Sequence, residues 1–162
     1  MGKKRDALER RLRVLEDRAA IADLFTSFCR AVDRKDEDLF LSLWADGARW
    51  RVGEPIGFAE GREELLANAR RVWKVLPIGY HMVGNLKIEL DGDRARTECD
   101  VTVRGADVGD RAVLVGGAYA DDLARGEDGA WRIVEHRAVV HYWAPINDPW
   151  SLDPATHMKL PG

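Results

Sequence analysis

The chain has 162 residues, 46% of them hydrophobic, with 25 basic against 28 acidic side chains and a formal charge of −3. That length suits one domain with a sizeable core, and the slight acidic excess gives no electrostatic case for nucleic acid or an anionic membrane. No apolar run approaches the roughly 18 residues of a membrane span, and the first residues lack the apolar core of a secretory leader.

The opening segment mixes Lys3, Lys4, Arg5, Arg10, Arg11 and Arg13 with Asp6, Glu9, Glu16 and Asp17, which reads as a solvated helix face. Ile21, Phe25, Phe28 and Val32 then recur at spacings of four, three and four, one stripe of a helix. Lys35-Asp36-Glu37-Asp38 breaks it. A short second helix is predicted through Leu39, Phe40, Leu43 and Trp44, ending near Asp46-Gly47, followed by a short strand over 48–52 that carries Trp50. Glu60-Gly61-Arg62 starts a third helix with Leu65, Leu66, Ala69, Val72, Trp73 and Leu76 on its apolar side, stopped by Pro77 and Gly79.

The second half reads as an antiparallel meander. The run from Tyr80 to Leu90 reaches Asp91-Gly92, a hairpin signal. Ala95, Thr97, Cys99, Val101 and Val103 alternate with polar neighbours in the next strand. A third covers 112–121, and Asp121 and Asp122 are expected to end it in solvent. Gly116-Gly117 inside it suggests close backbone approach or extra room. The last strand, Trp131 to Trp143, is apolar or aromatic on both faces over 138–143, so its second face should be covered, most simply by another subunit. Three helices before four long strands predict an α+β fold with the helices on one face of a strongly curved sheet. Residues 146–162 read as an extended arm, and Trp44, Trp73 and Trp131 as core.

Two residues stand out for chemistry. Asp33 closes an apolar helical stripe and His81 opens a strand; brought to one cavity they would form a general-base dyad, the carboxylate fixing the ring tautomer while the imidazole takes the proton. Taken alone, Asp33 is more often a helix-end aspartate and His81 a satisfied strand-end histidine, and Asp36 fits a cap equally well. Strict alternation places His81 with Val83 and Asn85, opposite Leu86 and Ile88; a bulge near Gly84, or a pocket on the other face, would reconcile this. His136 shares parity with Ala138, Val140 and Tyr142, and Arg137 with Val139, His141 and Trp143, so one of the two faces the cavity. The two cysteines, Cys29 and Cys99, sit in apolar patterns, which makes a reducing cytoplasm the default. The four histidines are too dispersed for a metal site, and no phosphate-cradling loop or Ser-His-Asp order appears, so no cofactor is expected.

Arg18-Ala-Ala-Ile, Ala31-Val-Asp33-Arg-Lys, Leu43-Trp-Ala-Asp-Gly-Ala-Arg-Trp50, His81 with Asn85-Leu, Ala118-Tyr-Ala-Asp-Asp and Asp128-Gly-Ala-Trp-Arg-Ile133 occur in an order and spacing that resembles the SnoaL-like branch of the nuclear transport factor 2-like superfamily. The pattern is similar to that of its dehydrochlorinase and scytalone dehydratase-type members. The resemblance, from about Arg18 to Pro145 of a single SnoaL-like domain, implies a conical barrel enclosing an apolar pocket, commonly in a homotrimer. It places a His–Asp dyad on His81 and Asp33. It also implies Phe28, Trp50, Val101, Val103, Tyr119, Ala138 and Val140 as pocket wall, with Tyr142 on the same strand. A pocket lysine of the dehydrochlorinases falls on Phe28 and a pocket arginine on His136. The chemistry implied is a cofactor-independent lyase or isomerase, preferably a dehydratase, acting on a small, mostly apolar cyclic substrate. His81 would be the base, and His136 or Tyr119 the donor to a leaving oxygen. A non-catalytic binding or assembly module of the same fold, or an epoxide-type hydrolase, are the alternatives.

Overall fold

The computed structural model describes residues 2–53 and 56–146; the expected C-terminal arm after Ile146 lies outside them. The first apolar stripe forms the buried side of α1 (Gly2–Arg34), with Ile21, Leu24, Phe25, Phe28 and Val32 in the core. Lys35, at φ 56°, reverses the chain. Asp36 then caps α2 (Glu37–Ser42), its carboxylate accepting the Leu39 N–H at 3.0 Å.

The expected continuation of α2 through Trp44 does not occur. β1 (Trp44–Val52) starts there instead, and Ile133 N–H donates to the Leu43 carbonyl at 2.9 Å. The Asp46-Gly47 pair, read as a helix end, is a strand irregularity with Gly47 at φ 66°. Pairing with a distant strand has overridden local helix preference. The sequence reading also missed the short β2 (Phe58–Glu60), which pairs with β1. The third helix, α3 (Gly61–Val75), lies where predicted.

The meander forms β3 (Ile78–Asp91), β4 (Arg94–Ala106), β5 (Ala112–Arg125) and β6 (Trp131–Pro145). The sheet order is β2-β1-β6-β5-β4-β3, with β1 parallel to β6 and every other pair antiparallel. The sheet is mixed and open, with β2 and β3 as its edges, so the conical barrel does not close. α1 packs against β3 and α3 against β1 and β2, and the helices share one hydrophobic core with the inward residues of the sheet.

Irregularities in the ladders decide which side chains turn inward. On β3 the register shifts between Gly84 and Lys87, with Asn85 at φ 54°. His81 and Val83 are shielded before the shift, and Leu86, Ile88 and Leu90 after it. The bulge near Gly84 thus lets both sets share the inner face. On β6, Val134 is inserted between the partners of Leu123 and Asp122, and His141 between those of Gly117 and Gly116. The inner face therefore passes from Ile133 to His136, Ala138 and Val140, and then to Trp143.

Candidate active site

A cavity of about 500 Å³ lies between the helices and the sheet. α1 contributes Phe28 and Val32, α3 Val72 and Val75, and β1 Trp50 and Val52. His81 enters from β3, Val101 and Val103 from β4, Val115 and Tyr119 from β5, and His136, Ala138, Val140 and Trp143 from β6. Among the described residues that line it, none is Lys or Arg.

Asp33 and His81 meet at the edge of this cavity. Asp33 is delivered by the last turn of α1, and its carboxylate accepts the backbone N–H of His81 at 3.1–3.2 Å. The same carboxylate lies 2.6 Å from His81 Nδ1, with side chains only 8% (His81) and 16% (Asp33) exposed. A carboxylate acceptor at Nδ1 selects the tautomer with its proton there, which leaves Nε2 with a free lone pair. The backbone contact holds the carboxylate in place whatever the ring does.

A second pair sits deeper. His136 Nδ1 lies 2.6 Å from Asp121 Oδ1, and the two side chains are 1% and 0% exposed. The expectation that Asp121 ends a strand in solvent is therefore wrong. The strand continues to Arg125, and Asp121 faces inward, directly opposite His136 across the β5–β6 ladder. The His136 ring packs against Tyr119 at 4.5 Å and Phe28 at 5.0 Å between centroids. Its Nε2 and Asp121 Oδ2 are shielded from solvent and have no hydrogen-bond partner among the described residues. Burial pushes the Tyr119 phenol well above its ordinary range, with Cys29, Cys99, Asp121 and Asp33 adding to the shift, so its hydroxyl stays protonated.

Arg137 takes the opposite face. It pairs with Asp122 at 2.9 Å and Glu135 at 3.5 Å, and Glu135 also holds Arg51 at 2.6 Å and Arg49 at 2.7 Å. His136 is thus the inward residue of the two.

Phe28, Trp50, Val101, Val103, Tyr119, Ala138 and Val140 all line the cavity as expected, while Tyr142 does not. The inserted His141 turns Tyr142 away, and its ring lies over Gly116, where an added Cβ would come within 2.2 Å of it. Trp143 takes the inward place. The sequence reading missed Trp143, Val115, Val52 and the α3 valines as wall, and Asp121 as a partner of His136. Strand parity could have found Val115, which alternates with Tyr119 through Gly117. Among the described residues no group of three or more His, Cys, Asp or Glu side chains could hold a metal ion, and no helix is long and apolar enough to cross a membrane.

Comparison with known proteins agrees with this architecture. The γ-hexachlorocyclohexane dehydrochlorinase of Sphingobium indicum is 33% identical over 135 residues, covering 82% of this chain and 85% of that protein. The crystal structure of LinA superposes with a TM-score of 0.79 at 31% identity, covering 88% of this chain and 98% of the other. The LinA-type3 hexachlorocyclohexane dehydrochlorinase from Novosphingobium barchaimii gives 0.77 at 29% identity, covering 88% and 99%. Dehydrochlorinases are lyases, and the likeness supports a lyase-type enzyme. The SnoaL-like domain family matches residues 13–137. An α+β fold with helices on one open sheet, 33% identity to its dehydrochlorinases and a match over most of the length leave one assignment: the chain belongs to the SnoaL-like family.

Proposed function

We propose that this enzyme is a cofactor-independent lyase in which His81 and Asp33 act as a general-base dyad on a small cyclic substrate, and that its preferred reaction is dehydration. One observation carries the reading: His81 Nδ1 and its own backbone N–H both bind the Asp33 carboxylate, at 2.6 Å and 3.1–3.2 Å, beside a largely hydrocarbon cavity. Nε2 takes a proton from carbon, and the electrons of that C–H bond form the new double bond. The carbon–oxygen bond breaks as the double bond forms. The departing hydroxide leaves as water with a proton from Tyr119, or from Nε2 of His136 when that ring carries both protons and the Asp121 carboxylate offsets its charge. His81 returns its proton to solvent and the donor regains one, so the net products are an alkene and water.

Dehydration is favoured over halide loss because no described lining residue carries the fixed positive charge that would draw off a halide. Loss of hydroxide needs only a proton donor. The test compares chloride release from γ-hexachlorocyclohexane with water loss from a panel of cyclic β-hydroxy ketones. Turnover of a hydroxy ketone should fall about 10²- to 10⁴-fold in kcat/KM for Asp33→Asn and His81→Gln. Unchanged turnover in Asp33→Asn overturns the dyad, and faster chloride release than water loss overturns the dehydratase preference.

A further inference from the structure

From Gly2 to Glu16, α1 runs past the sheet with only Ala7 even partly shielded. A helical segment of that length has little stability of its own in water, so it needs a surface to lie on. It carries one. Leu8, Leu12 and Leu15 are 65%, 52% and 63% exposed. Ala19 and Ala22 continue the stripe at the same alternation of four and three residues.

This stripe is not an extension of the core. The side of α1 that packs on the sheet carries Asp17, Ile21, Leu24 and Phe28. Each of Asp17 and Ile21 stands two residues beyond a stripe position, about 200° around the helix. The leucines therefore point away from the fold that anchors the rest of α1.

The charges beside the stripe say what fits it. With Leu8, Leu15 and Ala22 as the d positions of a heptad and Arg5, Leu12 and Ala19 as the a positions, the e positions are Glu9, Glu16 and Asp23, all acidic. The g positions are Lys4, Arg11 and Arg18, all basic. In a parallel coiled coil each g residue faces the next e residue of its partner, so Lys4 meets Glu9 and Arg11 meets Glu16 of a second copy. In an antiparallel pair, g would face g and e would face e, and like charges would repel. Arg18 is already engaged with the Ile88 carbonyl at 3.1 Å, and Glu9 has an exposed intrahelical contact with Arg5 at 3.4 Å. Neither contact covers the leucines.

We infer that the projecting half of α1 is a self-association surface, on which Leu8, Leu12 and Leu15 pack in parallel, in register, against the same residues of a second copy of this chain. This stands apart from the proposed chemistry, since none of these residues lines the cavity. The alternatives, an antiparallel pair or an interface elsewhere, are outcomes of the test.

The test uses the full chain. Leu12→Cys places a thiol on the axis of the pair and Arg10→Cys places one on the outer side of the same turn. Cys29 and Cys99 are buried and give little background. Under mild oxidation Leu12→Cys should run as a disulfide-linked dimer on a non-reducing gel and Arg10→Cys as a single chain. Sedimentation equilibrium should show about tenfold weaker association for Glu9→Lys/Glu16→Lys. Adding Lys4→Glu and Arg11→Glu to that variant should restore it. Far-UV circular dichroism should show that each variant keeps the folded α+β body, because every changed side chain projects from it. No more cross-linking in Leu12→Cys than in Arg10→Cys overturns the proposal. So does an 18.2 kDa species for the unmodified chain at every concentration up to about 100 μM. An undiminished association in Glu9→Lys/Glu16→Lys overturns the parallel arrangement.

Discussion

Asp33 binds both the main chain and the ring of His81, so substituting it disturbs two contacts at once. An amide there could no longer favour the Nδ1–H tautomer as a carboxylate does, and the reading above predicts lost turnover with an intact fold. Both residues were visible in the sequence because each broke a pattern: a carboxylate ending an apolar stripe and an imidazole opening a strand. Asp121 was not visible, and the reason is specific. The β5–β6 hairpin pairs Arg125 with Trp131, Ala124 with Arg132 and Leu123 with Ile133. Continued without interruption, that register would set Asp121 opposite Glu135. The inserted Val134 puts His136 there instead. At this scale the thiols give a further prediction. Burial pushes Cys29 and Cys99 each up to about 12, so neither is a thiolate at pH 8 and neither should react with a chromogenic disulfide in the folded protein. Both should titrate when the chain is unfolded in guanidinium; prompt labelling of a native thiol would show that the helix–sheet packing around it is open.

Elements are placed here by close contact as much as by pattern. The predicted tight approach at Gly116-Gly117 is present. A Cβ on Gly117 would stand 2.1 Å from the Val139 carbonyl oxygen, where the inserted His141 draws β6 against β5. Gly117→Ala should therefore destabilise the protein by about 1–3 kcal/mol, read as a lower urea midpoint at unchanged slope. An unaltered midpoint would mean that the strand pair is not so closely joined. The start of the folded body of α1 is tied down by a mixed contact that no local rule foretells. Arg125 reaches Asp17 at 2.6 Å while its guanidinium stacks 4.6 Å over the Trp131 ring. Those residues come from α1, β5 and β6, so only the assembled sheet brings them together. The β3 bulge, in contrast, was inferred from the conflict between His81 and Ile88, and it lies between Gly84 and Lys87.

For the molecule as a whole, acid stability follows from carboxylates that the fold holds ionised. Arg51 foremost, with Arg49 and Arg137, holds Glu135 below its ordinary value on the outer face of the sheet. Arg111 and the turn N–H groups of Gly109 and Arg111 do the same for Asp107 between β4 and β5. Arg132 holds Asp128 lower still in the β5–β6 turn. A depressed carboxylate contributes stability that is present above its unfolded value, about 4, and lost as pH falls towards the folded one. The melting temperature should stay level from pH 7 to about pH 5 and fall steeply below about pH 4. Glu135→Gln should show a shallower fall; an identical profile would remove Glu135 from this account. The α+β class, the helical first half and the meander were set by sequence, because stripe spacing, alternation and turn residues act over a few neighbours; Asp33 and His81 stood out there, and the family resemblance gave them the role proposed for proton transfer. The parallel pairing of β1 with β6, the open edges of the sheet, the inward turn of Asp121 and the exchange of Tyr142 for Trp143 were decided only by tertiary structure. Each depends on a one-residue insertion in a ladder or on a strand from the other half of the chain, and a period-two pattern changes face with a single insertion.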